Sequence, residues 1–363
     1  MKLLKRSPLF LSMLLLLAAC TKQGDLVVAY SNPQIAYEGR IDTSNSTAAR
    51  LFWSGTTIRI NFEGEAIAAT LADQRGDNYY NVFVDGDSLT ILRPDTTQRE
   101  YLLASDLGAG KHRLEIFKRT EWDRGTTSFY GFRISGKAKL LQRDPAKKRK
   151  IEFYGNSITA GYAVDDFSGK DRSDSIFTNN YRSYARLTAD HYNAQYSCIC
   201  KSGIGITVSW FPTIMPEIYD RLDPTDPNSP WDFSRYTPDV VVINLFQNDS
   251  WLVNMPQHEQ FKARFGSQAP TPEFITGAYA NFVRSIRTRY PEAQIVCMLG
   301  SMDATREGSP WPGYVEQAVA QLDDPRIFTH FVPFKNTGGH PNIAEQQAMA
   351  QSLIGFMDEH IDW

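Results

Sequence analysis

Four residues in the second half of the chain have types and settings suited to acyl-transfer chemistry. Ser157 stands in the motif GNSITAGY after a short apolar run, Asn248 follows another such run, and His340 lies in the glycine-rich motif GGHPN. Gly205, in SGIG, offers a backbone N–H that a ligand can approach with no side chain in the way. A serine nucleophile, a histidine base and N–H donors for an oxyanion are the parts required for ester hydrolysis through an acyl-enzyme.

These residues also have purely structural explanations. Ser157 can simply cap the helix that follows it, and Asn248 with Asp249 can form a turn. Gly203, in the same SGIG motif, is a second candidate for the donated N–H. The residue types alone therefore leave open both a catalytic site and a set of caps and turns.

The sequence around the four residues alternates strand and helix patterns. Short apolar runs, typical of parallel strands buried on both faces, occur at residues 151–154, 196–200, 240–245, 295–299 and 327–332. Amphipathic segments of helical length lie between or after them, at residues 181–192, 272–290, 314–322 and 342–356. This pattern predicts a doubly wound α/β domain with a five-stranded parallel sheet over residues 151–363. Each candidate residue follows one of the runs, at the carboxyl edge where such sheets bind ligands.

The preceding part of the chain has a strand pattern throughout. Apolar and polar residues alternate between turn-forming glycines and aspartates at residues 57–62, 66–71, 79–84 and 112–117. Short antiparallel strands with little helical periodicity predict a β-sandwich or jelly roll over residues 21–142. The polar, basic stretch 143–150 is predicted to be a solvated linker between the two domains.

Residues 1–20 have the features of an export signal. Basic residues at positions 2, 5 and 6 precede an apolar run, residues 9–19, that is shorter than the roughly 20 residues needed to span a bilayer. The sequence LAAC at its end resembles the bacterial lipobox, which implies cleavage before Cys20 and its modification by lipid. We therefore expect an exported cell-envelope lipoprotein, held at a membrane by its lipid in the periplasm or at the outer membrane or cell surface. A plain secretory signal with a chance cysteine is the alternative.

The composition excludes other classes of protein. The 363 residues, 42% hydrophobic and 22% charged, are typical of a globular protein of two domains. A net charge of -3 provides no basic field for a nucleic-acid backbone, so nucleic acid is not an expected partner. No metal-ligand spacing, phosphate loop or dinucleotide fingerprint occurs, so no cofactor or metal is expected. The cysteines at 198, 200 and 297 lie in strand patterns and are expected to be buried thiols.

The order serine, glycine, asparagine, histidine, each after a strand of one sheet, resembles the four sequence blocks of the SGNH (GDSL-type) hydrolases. GNSITAGY matches the nucleophile block and GHPNIAEQQAMA matches the histidine block. The upstream segments LFWSGTTIRINFEG, NYYNVFVDG and GKHRLEIFKRTE resemble the N-terminal jelly-roll domain of carbohydrate esterase family 2. Together the two resemblances cover nearly the whole chain after residue 20.

The resemblance implies a serine esterase that removes O-acetyl groups from a polysaccharide of the acetylxylan or glucomannan type. Ser157 is then the nucleophile and His340 the general base. The implied oxyanion hole combines the N–H groups of Ser157 and Gly205 with the side-chain amide of Asn248.

Aromatic side chains supply the expected substrate contact. Sugar rings have apolar faces that stack on exposed aromatic planes. Trp251 follows Asn248 closely in sequence and is the residue expected to line the substrate cleft. Trp210 and Trp311 also fall in or near loops that follow strands.

The acid that normally orients the histidine is missing from its usual place. In the family it stands two or three residues before the histidine, where this chain has Thr337 and Gly338. A backbone carbonyl orients the ring in members that use a serine-histidine dyad. Asn336, or Asp303 and Glu307 from another loop, are further candidates for this task.

Two further departures concern the other blocks. Asn156 replaces the aspartate that usually precedes the nucleophile, and Phe246 stands where the third block usually has glycine. With the missing acid, they leave two alternatives open. One is a carbohydrate-binding surface lipoprotein with a degenerate esterase site, and the other is an SGNH esterase for a different acyl group.

Overall fold

The computed structural model describes residues 24–363, so the predicted signal segment and the lipidation site Cys20 lie outside the described residues. The described part begins with a β-domain that ends at Leu140 and continues, after a connecting segment, with an α/β-domain. The first strand of the second domain begins at Lys150, one residue before the predicted boundary.

Two antiparallel sheets build the N-terminal domain, and residues 24–149 contain twelve strands. They are β1 (Leu26–Ala29), β2 (Ala36–Glu38), β3 (Ile41–Asp42), β4 (Ala49–Leu51), β5 (Thr57–Glu63), β6 (Ala66–Asp73), β7 (Tyr80–Val84), β8 (Asp87–Leu92), β9 (Arg99–Ala104), β10 (His112–Lys118), β11 (Thr127–Ser135) and β12 (Lys139–Leu140). One sheet has the order β3-β4-β11-β6-β9 with β1 beside β11, and the other has the order β12-β5-β10-β7-β8 with β2 beside β5. Inward side chains such as Ile60, Leu71 and Phe132 form a shared core, which confirms the predicted β-rich domain.

A parallel sheet of five strands forms the centre of the second domain, in the order β14-β13-β15-β16-β17. Its strands are β13 (Lys150–Gly155), β14 (Gln195–Cys200), β15 (Val240–Asn244), β16 (Gln294–Leu299) and β17 (Ile327–Phe331). Its helices are α1 (Ser157–Ala160), α2 (Tyr184–His191), α3 (Gln247–Leu252), α4 (Glu259–Phe265), α5 (Pro272–Arg289), α6 (Trp311–Ala320) and α7 (Ile343–His360). The predicted α/β fold is confirmed.

The central strands are buried on both faces, as their unbroken apolar sequences predict. All five residues of β15, VVVIN, are buried between the layers of helices. The cysteines at 198, 200 and 297 are buried and unoxidised, which confirms that prediction. Among residues 24–363, no helix combines the length and the apolar character that crossing a bilayer requires.

The two domains share buried side chains across their interface. Trp53 of the N-terminal domain packs into the core of the α/β-domain, where its indole N–H donates to the Leu222 carbonyl at 2.9 Å. Arg40, also from the N-terminal domain, is fully buried and lies 3.3 Å from the Glu152 carboxylate on β13. The interface therefore contains both an apolar anchor and an ion pair removed from water.

Breaking that ion pair should destabilise the protein strongly. We expect Glu152→Gln to lower the free energy of unfolding by roughly 3–5 kcal/mol, because it leaves the Arg40 charge buried without a counter-charge. Chemical denaturation of the two proteins measures the difference. The control is Glu292→Gln, which affects an exposed pair with Arg326 and should change the free energy by less than about 1 kcal/mol. Equal losses from both substitutions would contradict the assignment.

Candidate active site

Ser157 lies at the turn from the central strand β13 into the short helix α1. The cap of this helix is Asn156, whose side-chain oxygen accepts a hydrogen bond from the Ile158 N–H at 3.0 Å. The alternative in which Ser157 serves as the cap is therefore wrong. Its Oγ instead lies 2.9 Å from Nε2 of His340, within hydrogen-bond distance.

The other ring nitrogen of His340 faces an aspartate. Nδ1 lies 2.6 Å from Oδ2 of Asp171, and the His340 backbone N–H donates to Oδ1 of the same carboxylate at 3.1 Å. The ring of Tyr162 packs beside the imidazole, with 4.6 Å between ring centroids. Ser157, His340 and Asp171 thus form one continuous hydrogen-bonded line, the arrangement of a catalytic triad.

Asp171 is the residue that sequence reasoning missed. It precedes His340 by 169 positions and lies on the loop between α1 and α2. That loop contains several aspartates, and no spacing rule distinguishes this one from the others. The partner of Nδ1 is none of the predicted substitutes Asp303, Asn336 and Glu307, and Asp303 instead accepts a hydrogen bond from the Trp251 indole.

The backbone on both sides of this contact favours a close approach. Asp171 has φ 60° and Gly339 has φ 68°, and a Cβ atom at Gly339 would come within 3.4 Å of Cγ of Asp171. Within the loop, Asp166 accepts hydrogen bonds from the Arg172 guanidinium at 2.7 Å and the Ser168 hydroxyl at 2.6 Å. These partners hold the pKa of Asp166 well below its ordinary value. The ion pair between Asp166 and Arg172 therefore closes the turn that carries Asp171.

Asn248 occupies the second position of α3, so the predicted alternative of a turn at this residue is wrong. Its side chain is buried, with Nδ2 donating to the Ile204 carbonyl at 2.8 Å and Oδ1 accepting from the Trp210 indole at 3.1 Å. These two bonds fix which end of the amide is nitrogen and leave its second N–H for another acceptor. As the first residue of α1, Ser157 also has a backbone N–H with no intrahelical acceptor.

The two glycines of the SGIG motif differ in what their N–H groups do. The Gly205 N–H donates to Oγ of Ser209 at 2.9 Å, inside its own loop. Gly203 has φ 83°, and its N–H meets no acceptor among residues 24–363. To bind an oxyanion, the N–H of Gly205, the expected donor, would have to break its hydrogen bond to Ser209. The N–H of Gly203 has no such bond to break within the described residues.

Asp249 ties the SGIG loop to α3. Its fully buried carboxylate accepts hydrogen bonds from the backbone N–H and hydroxyl of Thr207, at 2.6 and 2.7 Å, and from the Ile206 N–H at 3.1 Å. Burial raises the pKa of Asp249, and these donors partly offset that effect. The loop after β14 and the helix that carries Asn248 are therefore held as one unit.

The structure accounts for Phe246 at the position where the family usually has glycine. Its backbone is left-handed, with φ 82°, a conformation that glycine adopts without steric cost. The side chain is completely buried, with its ring 4.7 Å from that of Tyr279 and 5.0 Å from that of Trp311. Aromatic packing compensates for the strained backbone, so this position still turns the chain into α3.

The three candidate tryptophans lie in different environments. Trp311 is only 6% exposed and belongs to the core at the start of α6. Trp251 is half-buried, and its indole N–H donates to Asp303 at 3.1 Å, so its place in the cleft stays a prediction. Trp210 is 40% exposed while its N–H holds the side chain of Asn248. It therefore presents the most accessible aromatic surface of the three beside the candidate oxyanion donors.

The site brings a nucleophile, a base, an orienting carboxylate and N–H donors to one edge of the sheet. Within the described residues, no group of three or more His, Cys, Asp or Glu side chains is arranged to hold a metal ion. The arrangement is suited to attack on an ester carbonyl, with proton transfer through the imidazole.

Comparison with known families divides the chain at the same place as the structure. Residues 37–143 match the family described as carbohydrate esterase 2 N-terminal. Residues 153–343 match the GDSL-like lipase/acylhydrolase family.

Individual relatives extend this similarity over most of the chain. The cellulase/esterase CelE of Acetivibrio thermocellus is 34% identical over 92% of this chain, which spans only 40% of that protein's length. An acetylxylan esterase/glucomannan deacetylase of Cellvibrio japonicus is 26% identical over 96% of both chains. The solved structure of a family two carbohydrate esterase from Clostridium thermocellum, in complex with cellohexaose, is 33% identical with a TM-score of 0.79, covering 90% of this chain and 98% of that one.

Proposed function

Since the chain belongs to the GDSL-like lipase/acylhydrolase family and, through its N-terminal domain, to carbohydrate esterase family 2, we propose that it removes O-acetyl groups from an acetylated polysaccharide. It is a carboxylic ester hydrolase, and xylan and glucomannan are the substrates to test first, because a relative similar over its whole length is named for them. The single observation that carries the proposal is the hydrogen-bonded line from Ser157 through His340 to Asp171.

The first half of the reaction forms an acyl-enzyme. Oγ of Ser157 attacks the acetyl carbonyl carbon while Nε2 of His340 takes the hydroxyl proton. Asp171 keeps the proton of the imidazole on Nδ1 and stabilises the imidazolium that results. When the tetrahedral intermediate collapses, Nε2 returns the proton to the departing sugar oxygen, and the acetyl group stays on Ser157.

The second half frees the enzyme by the same proton path. Water loses a proton to Nε2 of His340, attacks the acetyl carbonyl, and acetate leaves as Ser157 recovers its hydrogen. In both tetrahedral intermediates the negative oxygen is bound by the Ser157 N–H, the free N–H of Asn248 and one glycine N–H of the SGIG loop. Gly203 is the more suitable oxyanion donor of the two glycines, because the N–H of Gly205 already donates to Ser209.

The structure removes the reasons for the alternative of a carbohydrate-binding protein with a degenerate esterase site. It rested on three departures from the family pattern, and each has a compensating feature. Asp171 takes the place of the missing acid, Asn156 caps the nucleophile helix, and Phe246 adopts the backbone conformation usual for glycine. The ordered line from Ser157 to Asp171 instead supplies the parts that ester hydrolysis needs.

We also propose that the enzyme is exported and anchored by lipid on Cys20. The support is the sequence alone: a basic start, a short apolar run and LAAC. An enzyme at the cell envelope would meet polysaccharide before transport into the cell. Metabolic labelling with a fatty-acid analogue, compared between the native chain and Cys20→Ala, tests this placement, and label on both proteins would contradict it.

The activity is tested with the form lacking residues 1–20. We expect hydrolysis of p-nitrophenyl acetate and at least about 10-fold weaker hydrolysis of the butyrate ester, because a small acyl pocket excludes added methylenes. Release of acetate from acetylated xylan and glucomannan then identifies the polymer. Preference for longer chains would favour the esterase for another acyl group, and turnover no higher than that of Ser157→Ala would contradict the proposal.

Removing the amide of Asn248 should slow the chemical step. We expect Asn248→Ala to lower kcat for p-nitrophenyl acetate by roughly 10²–10³-fold, the usual cost of losing one oxyanion donor. Asn254→Ala is the control, because Asn254 is exposed just beyond the same helix and its amide binds only the Ser250 carbonyl. A rise in KM with unchanged kcat would show that Asn248 binds the ground state instead.

A further inference from the structure

The loop that carries Asp171 is not anchored in the parallel sheet, unlike the segments that carry the other catalytic groups. Ser157, Asn248 and His340 follow strands of the parallel sheet, which fix their positions. The acid loop, residues 164–178, joins α1 to α2 and has no pairing with any strand of the sheet. Its position therefore depends on contacts made by its side chains and free backbone groups.

One arginine of the N-terminal domain binds both ends of the acid loop. The guanidinium of Arg119 lies 2.7 Å from the Asp165 carboxylate and donates to the Ile176 carbonyl, also at 2.7 Å. Its Nε donates to the Thr178 carbonyl at 3.4 Å. Arg119 is only 1% exposed, so its guanidinium lies away from water. The two ends of the loop are thereby fixed to the other domain.

A second arginine holds the middle of the loop, close to Asp171. Arg124 donates to the Ser173 carbonyl at 3.1 Å and pairs with Asp77 at 3.3 Å. Asp77, also in the N-terminal domain, accepts a hydrogen bond from the Ser175 hydroxyl at 2.5 Å. The N-terminal domain thus contacts the loop two residues and four residues beyond the catalytic carboxylate.

The same short stretch reaches the opposite side of the site. We call residues 119–124, between β10 and β11, the bridge segment. Its buried Glu121 accepts hydrogen bonds from both the backbone N–H and the hydroxyl of Ser202, the latter at 2.8 Å. Ser202 directly precedes Gly203 in the SGIG loop. The bridge segment therefore contacts both the acid loop and the loop of the candidate oxyanion donor.

We propose that the bridge segment is a positioning element of the catalytic site, with Arg119 and Arg124 holding the acid loop so that the Asp171 carboxylate meets Nδ1 of His340. The inference rests on the proposed function, because it assigns the N-terminal domain a part in the same reaction. That domain then acts through the geometry of the triad, whatever else it contacts.

Loss of these contacts should have a catalytic cost. A loop freed from its partners gains conformational entropy and spends less time in the productive geometry. A misplacement of about 1 Å in a catalytic group can cost roughly 10²-fold in rate. We therefore expect Arg124→Ala to lower kcat by roughly 10- to 100-fold, with KM for a small ester nearly unchanged, because the sugar and acyl contacts are untouched.

A double-mutant cycle separates positioning from a general structural effect. If Arg124 acts through Asp171, the substitution should reduce kcat by less than about 2-fold when it is made in the Asp171→Asn protein. Arg124→Lys, which retains a donor and a charge, should recover part of the lost rate. Asp77→Asn, on the other side of the same contact, provides a second variant should Arg124→Ala fail to fold.

The control is another arginine that joins the domains. Arg235 donates to the Ile41 carbonyl at 3.2 Å across the interface and makes no contact with the acid loop. Arg235→Ala should leave kcat unchanged. Equal falls in kcat for Arg124→Ala in the native and Asp171→Asn backgrounds, or no fall at all, would overturn the proposal.

A measurement without substrate keeps this inference distinct from the proposed function. The proton shared by Nδ1 of His340 and Asp171 should give a low-field NMR signal in the full chain, which Asp171→Asn abolishes. We expect Arg124→Ala to weaken or shift this signal and Arg235→Ala to leave it in place. If the protein proved inactive on every ester, a signal unaffected by Arg124→Ala would still overturn the positioning role, and a weakened one would support it.

Discussion

Ser157→Ala should lower kcat for p-nitrophenyl acetate by roughly 10⁶-fold, the loss seen when a serine hydrolase is deprived of its nucleophile. The hydroxyl oxygen forms the bond to the acetyl carbon, and no neighbouring side chain can replace it in that position. The folded structure should survive, because Oγ of Ser157 has His340 as its hydrogen-bond partner and supports no other element. Initial rates and thermal unfolding of the two proteins measure both effects.

The control for this substitution is a half-buried serine of the same domain that lies outside the site. Ser285 lies on α5, where its hydroxyl binds the Asn281 carbonyl of its own helix. Ser285→Ala should keep full activity. A covalent phosphonate probe should label the native protein once, at Ser157, and should not label Ser157→Ala. Activity of Ser157→Ala within tenfold of the native rate would show that another residue is the nucleophile.

Asp171→Asn should lower kcat by roughly 10⁴-fold, the cost of replacing a triad aspartate by its amide. The asparagine has nearly the same volume, but it can present an N–H to Nδ1 and so favour the wrong tautomer of His340. A dyad oriented by a backbone carbonyl would lose little from this change. The substitution therefore decides between a dyad and a triad in this enzyme.

The neighbouring Asp174 is a matched control. It is an exposed aspartate of the acid loop, and its side chain makes no capping hydrogen bond to the short helix that follows. Asp174→Asn should leave kcat within a factor of about 2, as expected for a surface substitution that breaks no contact. A similar loss from both substitutions would mean that the charge of the loop matters and not the contact with His340.

The ionisation of Asp171 also sets an expectation for pH. Burial alone would raise the pKa of its carboxyl. The hydrogen bond and the charge of His340 lower this pKa by more than burial raises it, so the pKa of Asp171 lies below its ordinary value. The carboxylate consequently stays charged in neutral and mildly acidic solution. Its contribution to stability is present above the pKa of the unfolded chain and is lost only as the pH falls through the lower folded value.

The α/β fold could be predicted from the sequence because buried strands and amphipathic helices have characteristic patterns of apolar residues. Continuous runs such as VVVIN identify buried parallel strands, and residues that follow such strands meet at one edge of the sheet. This reasoning found Ser157, Asn248 and His340. It works when a functional group lies within a few residues of a regular element.

Asp171 could not be predicted in this way because it lies in a loop and not next to a strand of the sheet. Its loop is placed by contacts with Arg119 and Arg124, which lie about 50 residues earlier in a different domain, and no local pattern reports such contacts. The hydrogen bond of the Gly205 N–H was not visible in the sequence for a similar reason. Its acceptor, Ser209, is close in sequence, but only the turn between them shows that the N–H is occupied.

The buried Trp53 has a consequence for how such enzymes recombine. Its indole ring lies inside the second domain, where it binds a carbonyl that the other half of the chain supplies. Exchange of one half between relatives would bring together surfaces that did not evolve as a pair. The two halves should therefore be inherited together, and a gene fusion that keeps this enzyme functional should join new modules outside residues 24–363.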